Sequence, residues 1–64
     1  MHYEITIRGR MGPALTQGFA GFSATASGPD TVLSGEVADQ SALYGLLERV
    51  EALGLELVHV HRRP

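Results

Sequence analysis

From residue 2 to residue 8 the chain alternates: Tyr3, Ile5 and Ile7 are apolar, and His2, Glu4, Thr6 and Arg8 are polar. Period two with β-branched residues predicts a half-buried strand, with Tyr3, Ile5 and Ile7 facing a core. "GRMG" at residues 9–12 interrupts the pattern, and Pro13 suits the first position of a helix, where its missing N–H would be unpaired anyway. Leu15 and Phe19 lie at i and i+4 on one face of that helix, which Gly18 and Gly21 limit to about two turns. Alternation resumes at residues 22–27, with Phe22, Ala24 and Ala26 on one side. "SGPD" at residues 27–30 reads as a turn, and residues 31–37 complete a hairpin.

Asp39 stands where its carboxylate caps the next helix. Ala42, Leu43, Leu46, Leu47, Val50 and Leu53 recur at helical spacing as one broad apolar stripe, leaving Tyr44, Glu48, Arg49 and Glu51 on the wetter side. Gly54 then fits the C′ position, with Leu55 placed for the hydrophobic contact of a Schellman motif. Residues 57–62 form the last strand.

The predicted order is β-α-β-β-α-β. A faint internal echo accompanies it: "IRGRM" at residues 7–11 matches "LSGEV" at residues 33–37 as apolar, polar, Gly, charged, apolar. Each copy is followed by an Ala-Leu pair in a helix, Ala14-Leu15 and Ala42-Leu43. Two such halves predict a single α+β domain over residues 1–64. It is a ferredoxin-like βαββαβ sandwich, with an antiparallel four-stranded sheet in the order 4-1-3-2. Both helices lie on one face of the sheet and the other face is bare.

In that topology the last strand runs antiparallel beside the first, so its end lies near the start of the chain. Burying Val58 and Val60 turns Leu57, His59 and His61 to the bare side. The opposite choice would bury two imidazoles that need hydrogen-bond partners, so the first is expected. His2, Glu4, Thr6 and Arg8 share that side, and Val32 joins them if Leu33 is buried. Glu4, Thr6, Leu57, His59 and His61 are therefore the expected interface residues. His2, His59 and His61 are candidate metal ligands, since zinc accepts three imidazoles plus a water or carboxylate. The alternative is that they are solvated or interface side chains, and it is favoured because the site is open and lacks supporting hydrogen-bond partners.

Composition narrows the function. Sixty-four residues lie near the lower limit for a core without staples, and the absence of cysteine excludes disulfides and thiolate metal sites. A second subunit covering exposed surface would help such a chain. The net charge is −2, and all five basic residues are arginines: Arg8, Arg10, Arg49, Arg62 and Arg63. The topology scatters them, which argues against a nucleic-acid partner. No apolar run reaches the ~20 residues that span a bilayer, and no leader pattern is present, so no membrane partner and a cytoplasmic location are expected. The lack of lysine and asparagine suggests a GC-rich bacterial genome. "GRMG" lacks the spacing of a phosphate-binding loop, and no Gly-x-Ser-x-Gly elbow exists. No nucleophile–base pair or cofactor motif is legible, so no catalysis and no cofactor are expected.

Two stretches carry a resemblance. "RGRMGPAL" at residues 8–15 and "LLERVEALGLELVHV" at residues 46–60 resemble ACT-type regulatory domains in their turn into helix 1 and their leucine-rich helix, glycine and strand. The chain also resembles small actinobacterial αβ proteins. The ACT likeness implies dimerisation through sheets and a small ligand, such as an amino acid, near residues 9–15. The expected function is a non-catalytic assembly or regulatory module, working through its bare face or a sheet edge with a like subunit or protein partner. ACT-like ligand binding and a surface histidine metal site are the alternatives.

Overall fold

The structure, a computed structural model, describes residues 1–64. The elements run β1 (His2–Ile7), α1 (Pro13–Thr16), β2 (Phe22–Ser27), β3 (Asp30–Glu36), α2 (Gln40–Ala52) and β4 (Leu57–Arg63). The four strands form one antiparallel sheet in the order β2-β3-β1-β4, which is β4-β1-β3-β2 read from the other edge. The architecture is α+β, an open four-stranded sheet with two helices.

One sheet face carries the core. Ile5 pairs with Leu33 on one side and Val60 on the other, so these three side chains point the same way. Ile5, Ile7 and Leu33 are fully buried against Leu43 and Val50 of α2, with Phe19 and Val37 closing the cluster. The stripe on α2 is narrower than expected: Leu46 and Leu47 are half-buried, while Ala42 and Leu53 remain exposed. Its ends follow the sequence. The Asp39 carboxylate accepts a 2.8 Å hydrogen bond from the Ala42 N–H. At the other end Gly54 donates to the Glu51 carbonyl and Leu55 to the Val50 carbonyl, the two bonds of a Schellman motif.

α1 departs from expectation. It is a single turn of four residues with nothing buried. Leu15 and Phe19 do not share a helix face: Leu15 is exposed, and Phe19 enters the core from the turns that follow. Gly18 and Gly21 weaken helix propagation, and the chain uses the turns to reach β2. As a result β2 has little cover. Apart from Phe22, every β2 residue is exposed, including Ala24 and Ala26, which lie on the same side of the strand as Phe22.

The β2–β3 hairpin closes through two residues, Gly28 and Pro29. Gly28 has φ 60°, as the first central position of a type II′ turn requires, and the fixed φ of proline suits the second. The loop before α1 is tied to this hairpin. Thr31, buried, donates through its hydroxyl to the Gly9 carbonyl and accepts from the Met11 N–H, and the Asp30 carboxylate accepts from the Gly9 N–H.

Candidate interaction surface: the bare face and its edges

Register defines the uncovered face. On β1 it carries His2, Glu4 and Thr6; on β3 Glu36, Ser34 and Val32; on β4 Arg63, His61 and His59; on β2 Ser23 and Thr25. Val60 packs against the core, and His59 and His61 stand outside, opposite Thr6 and Glu4. Val58 does not plug inward as expected. The β1–β4 register shifts between Thr6 and Ile7, so Leu57, not Val58, is the partner of Ile7. An extra residue of this kind is a β-bulge. It leaves Leu57 and Val58 41% and 43% exposed, and it puts Leu57 in register with the covered side, not the bare one. The bare face therefore lacks the apolar contribution expected from Leu57. Val32 is its one aliphatic residue on the central strands, and its remaining side chains are mostly hydroxyl, imidazole, carboxylate and guanidinium.

The three histidines are not assembled into a metal site. His2 turns toward β3: its Nε2 lies 2.8 Å from the Ser34 hydroxyl and its Nδ1 3.3 Å from the Glu36 carboxylate. Both ring nitrogens are thus engaged. His59 and His61 stack on each other with centroids 6.1 Å apart and planes 15° apart, the separation set by the strand repeat. Glu4, across from His61, accepts a 2.9 Å hydrogen bond from Arg63. No group of three or more His, Cys, Asp or Glu side chains is arranged to hold a metal ion.

Glu36 is the anchor at the start of the face. Its carboxylate accepts from the terminal amine of Met1 at 3.2 Å and faces His2. These contacts hold its pKa below the ordinary carboxylate value, the hydrogen bond from the amine first, then that from His2, then the charge of the amine.

The only cavity, about 370 Å³, lies at the start of α2, lined by Phe22, Val37, Ala42 and Leu46 with Arg49 among its polar members. It is not at residues 9–15, where the ACT resemblance placed a ligand. Arg49 donates to the Gly18 carbonyl, which pins the turns after α1 to α2.

The edges differ. β4 carries the bulge and ends in His59, His61, Arg62 and Arg63. β2, "FSATAS", has no charge, no proline and no register shift, and from Ser23 to Ser27 it is uncovered on both sides. Sequence reasoning treated β2 only as half of a hairpin. The signal was present in its run of small uncharged residues, but it becomes meaningful only once α1 is known to leave β2 bare.

Fold and surface together define a small α+β domain with one covered and one open sheet face. Residues 2–61 match a family described as a domain of unknown function (DUF8691), and the chain belongs to that family. No curated protein and no solved structure matches it. No helix is long and apolar enough to cross a membrane.

Proposed function

We propose that the chain is a non-catalytic assembly module of ferredoxin-like design that works by strand addition at an edge of its sheet. The strand order, read from β4, and the antiparallel pairing throughout support the ferredoxin-like reading. One observation carries the functional reading: β2 is an uncovered, uncharged, proline-free edge. Natural sheets usually blunt such edges with charge, proline, bulges or a covering segment, and β4 has two of these devices. Strand addition supplies main-chain hydrogen bonds without needing an apolar patch. That favours the edge over the bare face, whose polar groups would have to be desolvated and paired one by one.

The test is a strand peptide of alternating Thr and Val, N-methylated along one edge so that it cannot associate with itself. Added to the isotopically labelled protein, it should slow hydrogen exchange at the Ala24 and Ala26 amides. Protection at β4 alone, or Ala24 and Ala26 amides that exchange as fast as an open edge both with and without peptide, would overturn the reading.

The cavity at α2 favours a second reading, a small-ligand site. Its apolar lining carries one guanidinium, Arg49, and one carboxylate, Glu36, which suits a small amino carboxylate, and about 370 Å³ is within the range of ligand pockets. A thermal shift with small amino carboxylates that disappears in Arg49→Ala supports it; no shift with any of them ends it.

A further inference from the structure

Taking strand addition at β2 as its basis, we infer that the strand added is β2 of a second copy of this chain, paired antiparallel about a two-fold axis through Thr25.

The register follows from the hairpin. Gly28 and Pro29 close a two-residue loop, so Ser27 and Asp30 are a hydrogen-bonded pair. Alternation then makes Thr25 with Val32 and Ser23 with Ser34 the other hydrogen-bonded pairs. Phe22, Ala24 and Ala26 therefore aim their backbone N–H and C=O groups away from β3. An independent contact agrees with this parity: the Phe22 N–H donates to the Phe19 carbonyl at 3.0 Å instead of to β3. Ala24 and Ala26 are thus the residues that offer complete donor–acceptor pairs to a newcomer.

Identical strands can satisfy these groups in one compact way. Ala24 of each copy exchanges both hydrogen bonds with Ala26 of the other. Thr25 then meets Thr25 of the other copy as the close, non-hydrogen-bonded pair, a Thr–Thr contact of the kind that stabilises sheets. Ser23 faces Ser27 of the other copy on the same side. The contact is isologous and closes, so it yields a dimer and not a filament. A second copy meets no electrostatic obstacle, because β2 has no charged side chain to repel its own copy. The equivalent contact at β4, centred on Val60, would set His59 of each copy against His61 of the other beside a bulged ladder. The product is a continuous eight-stranded sheet, with both α2 helices on one face and both histidine-bearing faces on the other.

The chain has no cysteine, so introduced thiols report the register without background. In a non-hydrogen-bonded antiparallel pair the Cα atoms are about 4.5 Å apart, within disulfide range. Thr25→Cys should form a covalent dimer rapidly under mild oxidation. Ser23→Cys and Ser27→Cys should each stay monomeric alone and form a heterodimer when mixed. Ala24→Pro, which removes an outward N–H and leaves the β3 ladder intact, should abolish association of the otherwise unmodified chain in sedimentation while keeping the native circular dichroism spectrum.

A Thr25→Cys protein that stays reduced and monomeric, together with an unmodified chain of 6.9 kDa at every concentration, overturns self-pairing. So does cross-linking of Ser23→Cys alone at the rate of Thr25→Cys. If the N-methylated peptide nevertheless protects Ala24 and Ala26, the edge reading stands and only the identity of its partner fails. If neither peptide nor second copy protects them, both fail.

Discussion

A methyl group at position 35 would sit 2.8 Å from the Gly21 carbonyl oxygen and 2.9 Å from the Phe22 ring. Phe22 is the cross-strand partner of Gly35, so its ring lies over the strand where a side chain would otherwise stand. The obstacle is partly backbone and cannot swing away. Gly35→Ala should destabilise the fold by about 1–3 kcal/mol, the range for overpacking a tight site; urea unfolding measures it, and an unchanged midpoint would mean that the ring does not rest on the strand. At the next residue the expected effect is a pH dependence. The pKa of Glu36 is lowered in the folded chain, so its contribution to stability is present above the unfolded carboxylate pKa and is lost as pH falls through the lower folded value. Glu36→Gln should melt below the unmodified protein near neutral pH, and the gap should close only in acid, below the ordinary carboxylate pKa. A gap that persists there would assign the effect to packing. The sequence made some residues legible and hid others. Alternation along residues 57–62 put Val60 inside and both imidazoles outside, because exposing a histidine costs less than burying one without a partner. The position of Val58 was hidden, because a bulge inserts a residue without any signature in the pattern.

Among the elements, α2 is the one the sequence specifies from end to end. Its cap, its stripe and its terminating glycine agree with one another, and Leu55 joins the core after the turn as the Schellman pattern requires. Asp39→Ala removes the acceptor for the Ala42 N–H and should lower stability by about 1 kcal/mol. Asp39→Ser should recover most of that loss; if it recovers none, the carboxylate acts through something other than the cap. α1 shows the limit of the same reasoning. The Leu15 and Phe19 spacing is helical, but two turns containing Gly18 and Gly21 do not offset the cost of starting a helix. The chain satisfies Phe19 through turns instead, and Arg49 holds those turns from α2. What sequence periodicity missed here is what leaves β2 uncovered, so the error at the level of one helix is also the origin of the candidate surface.

At the scale of the whole molecule, seven hydrophobic residues form the buried core. A domain of this length has a stability of roughly 3–10 kcal/mol. The strand order was legible because the two halves of the chain echo each other and right-handed connections leave few alternatives. The uneven cover over the sheet was not, because it depends on how far one short helix propagates. For so small a fold, association at an edge and stability are coupled. If folded dimer and unfolded monomers exchange as two states, each tenfold rise in concentration above the dissociation constant adds about 0.7 kcal/mol per chain. With an unfolding entropy of about 2.1 cal/mol/K per residue, that raises Tm by about 5 °C. Calorimetry over three decades of concentration should therefore show a steadily rising Tm for the unmodified chain and a flat one for Ala24→Pro. A rise that survives in Ala24→Pro would move the association away from β2, to the bare face or to the β4 edge, because the proline removes a donor at one edge and leaves both other surfaces as they were.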